Sequence, residues 1–206
     1  MRELVRTAAS TLYAPSGGRK YLNAAERRRF TKAAARAVAE VHLFCLTLFF
    51  SGGRISEILA LTPAGIDLES CVLTIRTLKR RKPGIIRQVP LPRPFISRLN
   101  RFFGIRRRQG DPLEATTRLW RWSRTTAWRR VKEVMATAGV SPTAAMPKGL
   151  RHGFGVNAMA NWVPQHLVQR WLGHASPKST AIYCDVCGPD ERRFAARMWR
   201  GSISRR

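Results

Sequence analysis

Val41-His42-Leu43-Phe44-Cys45-Leu46-Thr47-Leu48-Phe49-Phe50, followed at once by Ser51-Gly52-Gly53-Arg54-Ile55-Ser56-Glu57, is the stretch from which the fold can be read. The apolar run is broken by His42 and Thr47 and falls far short of the roughly 18 residues a membrane-spanning helix needs, so it reads as a buried helix. Gly52 and Gly53 stop that helix, because glycine takes the left-handed backbone that ends one. A second helix then runs from about Arg54 to Leu61, turning Ile55, Ile58, Leu59 and Leu61 inward and leaving Arg54 at its start.

Upstream, Asn23 and Glu26 have the spacing of a capping box and open one helical stretch with polar first turns and an apolar later part, Val38 to Phe50. Residues 1–20, with Pro15, Gly17 and Gly18, read as a flexible lead-in. Downstream the period shortens. Val72, Leu73 and Ile75 form one β-rich run and Ile85, Ile86 and Val89 another, with Lys82-Pro83-Gly84 between them, which predicts a β-hairpin. A helix follows from Pro94 to Phe103, then a basic, irregular connection over 104–122. Ser123 caps a helix with Trp128, Val131, Val134 and Met135 on one side and Gly139 at its end. Further helices are expected from Gly149 to Trp162 and from Pro164 to Leu172, with Gly173 as the stop. A short helix should hold Tyr183, and a last amphipathic one runs from Asp190 to Trp199. The expected fold class is mainly α with a small antiparallel β-sheet (α+β).

The charge says what the folded surface meets. Lys and Arg number 38 against 12 Asp and Glu, a formal net charge of +26, and the basic residues are spread along the chain rather than gathered in a tail. A surface so positive calls for a polyanion, and the phosphate backbone of DNA suits it. No membrane partner and no signal peptide are expected, so the reading is cytoplasmic. The four cysteines, Cys45, Cys71, Cys184 and Cys187, are too few for a disulfide framework, and the lone Cys184/Cys187 pair lacks the second pair a zinc site needs. The carboxylates are scattered and no two are spaced to hold paired Mg²⁺ ions, so neither metal nor cofactor is expected.

Three segments carry chemistry: Arg54 within Ser51-Gly52-Gly53-Arg54-Ile55-Ser56-Glu57, then Lys148-Gly149-Leu150-Arg151-His152, then Leu172-Gly173-His174 with Tyr183 nine residues on. Displacement at a phosphodiester builds negative charge on the non-bridging oxygens. Guanidinium groups stay charged and offer forked donors, so Arg54 and Arg151 are assigned to clamp that transition state. A phenol is a weak nucleophile at neutral pH, but dense positive charge favours its phenolate, which makes Tyr183 the nucleophile and His174 its base or a phosphate donor. Each residue alone has an ordinary reading as a helix start, a turn or an amphipathic face. Jointly, the functional reading is the one taken here. Glu57 reads as the partner that orients Arg54, His152 as a structural hydrogen bonder, Trp162 and Trp171 as core, and Arg106-Arg107-Arg108 as a phosphate contact.

Those same segments resemble the tyrosine recombinase or phage integrase family, whose arginine box, H-x-x-R motif, L-G-H motif and following tyrosine occur in this order over roughly residues 21–200. The resemblance implies a tyrosine recombinase catalytic-domain fold over 21–187. It also implies site-specific strand cleavage and rejoining of double-stranded DNA by transesterification, through a 3′-phosphotyrosyl link on Tyr183. A hairpin lysine would protonate the leaving 5′ oxygen, Lys79 being the choice and Lys82 the runner-up. It implies further a tetramer on paired sites, with the C-terminal helix and basic tail, 188–206, docking on a neighbour, and an accessory DNA-bending protein or partner recombinase at the bacterial nucleoid. Two departures stand out. Lys148 replaces the first histidine of H-x-x-R; it can donate to phosphate but is no neutral imidazole near pH 7. The separate N-terminal core-binding domain of such enzymes is expected to be absent. Other readings are a catalytically weak DNA-binding remnant or regulator of the same fold, and a type IB topoisomerase-like activity.

Overall fold

Asn23 and Glu26 open the first helix by the two reciprocal bonds their spacing predicts: the Glu26 N–H donates to Asn23 Oδ1 at 2.9 Å and the Asn23 N–H to Glu26 Oε2 at 3.0 Å. The computed structural model describes residues 12–77, 85–186 and 188–198. The expected single stretch from Asn23 to Phe50 is two helices, α1 (Ala24–Ala35) and α2 (Ala39–Ser51), with Val38 between them at 71% exposure. Splitting there lets both fold onto the core: α1 packs against α2 and against α7 (Arg124–Thr137). As expected, α2 is buried nearly all round and Gly52 ends it in the left-handed conformation (φ 60°).

After α3 (Ile55–Leu59), strands β1 (Ile66–Asp67), β2 (Val72–Arg76) and β3 (Ile86–Pro90) form an antiparallel sheet in the order β1-β2-β3. The predicted hairpin is β2 and β3; β1 was not foreseen. The β2–β3 register pairs Leu73 with Val89 and Ile75 with Arg87, so Arg87 faces inward while Ile85 and Ile86 are exposed. Helix α4 (Arg93–Phe103) follows. The supposedly irregular connection then contains two short helices, α5 (Ile105–Gln109) and α6 (Pro112–Thr116), the second opened by the Asp111 carboxylate.

Helix α7 is capped by Ser123 and buries Ala127, Val131, Val134 and Met135, but Trp128 is exposed. Helices α8 (Pro147–Ala160), α9 (Gln165–Leu172), α10 (Lys178–Ala181) and α11 (Pro189–Met198) complete the chain, with Tyr183 on a 3-10 turn, Ile182–Cys184. Trp162 lies beyond the end of α8 with φ 62° and is exposed rather than core; Trp171 does pack against the core. The lead-in is corrected too. From Leu12 it is a packed turn: Leu12 is buried, Tyr13 and Arg19 form a bridge, and Arg19 pairs with Glu26 at 2.7 Å.

Two hydrophobic clusters result. The larger spans α1 to α7, the sheet and the start of α8. The smaller joins Leu12 and Tyr21 to Val156 and Ala158 of α8, Val168 and Leu172 of α9, and Tyr183. Among the described residues no helix is long and apolar enough to cross a membrane.

Candidate active site

Gly52 and Gly53 bring the arginine of the first segment to the second and third. A Cβ on Gly52 would lie 2.8 Å from side-chain atoms of Leu172 and Phe154, and one on Gly53 would lie 2.5 Å from Ile58, so glycine permits α8 and α9 to close against this corner. Arg54 then caps α3 with its side chain 35% exposed; its Nη1 donates to Glu57 Oε1 and its backbone N–H to Glu57 Oε2, both at 2.8 Å. Glu57 orients Arg54, as its spacing predicts. Burial alone would raise the Glu57 pKa, but the hydrogen bond and charge of Arg87, then those of Arg54, outweigh it and hold it below the ordinary carboxylate value.

Arg151, on α8, is buried and bridges the other two segments: Nη1 donates to the Gly52 carbonyl at 2.8 Å and Nη2 to the Leu172 carbonyl. Burial, then the charge of Arg54, lower its pKa to about 10, which leaves it protonated at neutral pH. Arg54, Lys148, Arg151, His174 and Tyr183 all line one groove of about 1520 Å³. Lys79 and Lys82 lie outside the described residues.

Tyr183 is 1% exposed. Gly155 makes room for it, since a Cβ there would sit 2.5 Å from the phenol ring. The ring lies between two imidazoles, nearly parallel to His174 (21°, centroids 6.0 Å apart) and tilted against His152 (5.9 Å). Its oxygen is 3.4 Å from His152 Nδ1. Burial raises the phenol pKa to about 12 against the opposing charges of Arg151 and Arg54, so the hydroxyl keeps its proton at neutral pH. Burial, then the charges of Lys148, Arg151, His174 and Lys20, lower the His152 pKa to about 3. His152 is therefore neutral and able to accept. His174 is fixed through Nδ1, 2.9 Å from the buried Thr180 hydroxyl.

Sequence reasoning missed Lys20 and Thr180, whose roles come from contacts distant in sequence or from packing; Lys20 sat in the supposed lead-in and in fact lines the groove. It also missed Arg87, because an arginine within a β-rich run carries no local sign that it is buried. The Arg106-Arg107-Arg108 run, expected to meet phosphate for want of nearby acids, has acids beside it: Arg106 pairs with Glu69 at 2.8 Å, and Arg107 and Arg108 with Glu114 at 3.0 and 3.8 Å.

Comparison with known proteins places these observations. Residues 20–187 match the model of the phage integrase family. Tyrosine recombinase XerA of Pyrococcus furiosus is 32% identical over 149 residues, 70% of this chain and 49% of the relative. Tyrosine recombinase XerD of Mycobacterium tuberculosis is 33% identical over 156 residues, 72% and 46% of the two chains. The chain thus spans about half the length of the curated relatives it matches. Among solved structures, XerA recombinase superposes with a TM-score of 0.70 (22% identity, 90% of this chain, 66% of that one). The catalytic domain of bacteriophage HP1 integrase superposes with a TM-score of 0.62 (18% identity, 90% of this chain, 98% of that domain). The fold is that of tyrosine recombinase catalytic domains, and the chain belongs to the phage integrase family.

Proposed function

We propose that this phage integrase family member is the catalytic unit of a site-specific recombinase that cuts and rejoins double-stranded DNA through Tyr183. The observation that carries the reading is the convergence of Arg54, Arg151, Lys148, His174 and Tyr183, drawn from three segments far apart in sequence, on one groove. In the reaction the phenol oxygen attacks the scissile phosphorus and the bond to the 5′ oxygen breaks, leaving a 3′-phosphotyrosyl link. Arg54 and Arg151 neutralise the charge that grows on the non-bridging oxygens. Lys148, exposed in the first turn of α8, adds a donor to the same phosphate.

His174, anchored at Nδ1 and lying nearly parallel to the phenol, is the base that takes the tyrosyl proton or a phosphate donor in this reading. His152 Nδ1, 3.4 Å from the phenol oxygen, orients the hydroxyl. Lys79, with Lys82 as the alternative, returns a proton to the leaving oxygen. Assembly as a tetramer on paired sites, help from a DNA-bending protein or partner recombinase, and work at the nucleoid belong to the same proposal.

A suicide duplex taken from DNA flanking the coding region tests it. A covalent protein–DNA adduct that disappears in Tyr183→Phe supports the reading. DNA binding without any adduct points instead to a DNA-binding remnant, the reading that Lys148 in place of an imidazole favours. Relaxation of plasmids without site preference marks a topoisomerase.

A further inference from the structure

Arg87 has no assigned part in the chemistry, yet it is a buried cation at the junction of three segments of the site. Its Nη2 donates to Glu57 Oε2 at 2.6 Å, in an ion pair with both side chains almost wholly buried. Its Nε donates to the Trp171 carbonyl at 2.8 Å, and Nη1 lies 3.4 Å from the Thr77 hydroxyl, at the end of the strand that leads toward Lys79. Gly173 closes against it: at φ +64°, a Cβ on this glycine would lie 3.0 Å from Arg87 Cδ. The last two carbonyls of α9 are thus held by two guanidinium groups, Trp171 by Arg87 and Leu172 by Arg151. Cations are favoured at a helix C-terminus, but a cation this deep must also be matched by a carboxylate. Glu57 is that carboxylate, and its other oxygen holds Arg54.

We propose that Arg87 is a positioning residue for strand cleavage: through Glu57 it sets the angle of Arg54, and through the Trp171 carbonyl it locks the turn that carries His174. The inference rests on the recombinase reading for its activity arm. The physical reason is that Arg87 fixes the Glu57 carboxylate from the sheet side, whereas without it the carboxylate keeps only the half-buried Arg54 side chain and the Arg54 backbone N–H, both on its own helix start. Glu57 is faced by Arg54, Arg87 and Arg151. Removing Arg87 leaves it nearer its ordinary pKa, and protonation then releases Arg54.

The test uses the full chain with Arg87→Met and Arg87→Lys. Because Arg87 is buried, DNA affinity is expected to stay within about twofold. Single-turnover adduct formation at saturating DNA is expected to fall about 10- to 100-fold in Arg87→Met, a loss of the size that misplacing a reacting group produces. Arg87→Lys, which keeps the charge beside Glu57 but cannot also span to Trp171, should recover part of the rate. The acid limb of the rate-against-pH profile should move to higher pH in Arg87→Met, which a purely structural role would not cause. In the double variant Arg87→Met/Glu57→Gln the two losses should not multiply.

A folded Arg87→Met that cleaves as the unmodified chain does, or losses that multiply, would overturn the proposal. If Arg87→Met does not fold, Arg87→Lys decides by the same rate and pH measurements. A DNA-free arm separates this inference from the functional reading: the ¹³C resonance of the Glu57 carboxyl should titrate at higher pH in the Arg87 variants. An unshifted midpoint sinks the inference even where adducts form, and a chain that forms no adduct while the midpoint shifts sinks only the recombinase reading.

Discussion

Arg54 and Arg151 are held by hydrogen bonds to fixed groups on neighbouring segments, whereas Tyr183 is held by packing in the smaller hydrophobic cluster. Arg151 is tied by two donors to carbonyls on two different segments, and Arg54 is tied by a carboxylate that is itself ion-paired. Among the described residues the phenol oxygen's hydrogen-bond contact is a long one, 3.4 Å from His152 Nδ1, and Tyr183 sits on a 3-10 turn. A charge clamp gains from rigidity because its donors must already point where charge will develop. A nucleophile that starts buried and protonated has to shift, and a satellite cluster with fewer contacts opens at lower cost than the main core. The single helix α8 serves both sides, with Arg151 and His152 adjacent on it.

Breaking the rigid side should have the largest effect. Arg151→Met leaves the Gly52 and Leu172 carbonyls without their donors and removes half of the clamp. Adduct formation is expected to drop by at least about 10²- to 10³-fold, the scale of losing one transition-state donor. The stability loss should be smaller, about 1–3 kcal/mol, because the desolvation cost of the buried guanidinium is relieved at the same time. Urea melts and suicide-substrate kinetics check the two numbers; a variant that cleaves within tenfold of the unmodified chain would contradict the assignment of Arg151.

Gly155→Ala attacks the nucleophile side without touching any charged group. The added methyl meets the phenol ring at 2.5 Å, so the ring or the helix must move. Overpacking of this kind costs about 1–3 kcal/mol. Adduct formation should fall while DNA affinity stays near that of the unmodified chain, because the groove's cations remain in place. An unchanged rate would show that the phenol does not work from the position it occupies here.

Protonation sharpens the contrast between the two sides. His152 has its pKa lowered to about 3 by burial and then by nearby cations, against an ordinary value near 6.5. Between those values the unfolded chain binds a proton that the folded chain does not, so stability falls as pH falls from about 6.5 toward 3. One such group contributes a slope of at most about 1.4 kcal/mol per pH unit. His152→Gln should flatten the dependence of unfolding free energy on pH between 6 and 4. Glu57 adds to the acid loss at lower pH: its folded pKa is depressed, so its stabilisation is full above the ordinary carboxylate value and disappears as pH drops through the folded one.

These contrasts show which parts of the molecule its sequence discloses. The Asn23–Glu26 cap, the Gly52 stop, the Ser123 cap and the Gly173 stop are legible because each is a local bond or a local conformation. Arg54, Arg151, His174 and Tyr183 could be named together because their motifs stand in the order of the family they resemble, and the fold brings all four to one groove. Arg87 could not be. Its burial depends on which face of β3 turns inward, and the run Ile85, Ile86 and Val89 has apolar residues on both faces; the deciding partner, Glu57, lies 30 residues away. The pairing of Arg106 with Glu69 across 37 residues escaped for the same reason. Trp162 looked like core from its helical neighbours, but the chain turns through a positive φ there and leaves the ring outside.

The smallest expected effect concerns how the satellite cluster is fastened to the C-terminal helix. Tyr21, buried in that cluster, donates from its hydroxyl to Asp190 Oδ2 at 2.7 Å, so the first turn of α11 is tied back to the segment that precedes α1. Asp190 keeps a second, longer contact with Arg193 at 3.7 Å. Tyr21→Phe preserves the ring packing and deletes only the hydroxyl, so the loss is about 1 kcal/mol, that of one hydrogen bond to a charged acceptor with a remaining partner. The loss should also be local. Amide hydrogen exchange is expected to quicken in Pro189–Met198 and to stay unchanged in Ala39–Ser51, because opening α11 does not require opening the main core. Equal acceleration in both helices would mean that the two clusters unfold as one unit, and the division of labour between a fixed clamp and a movable tyrosine would lose its structural basis.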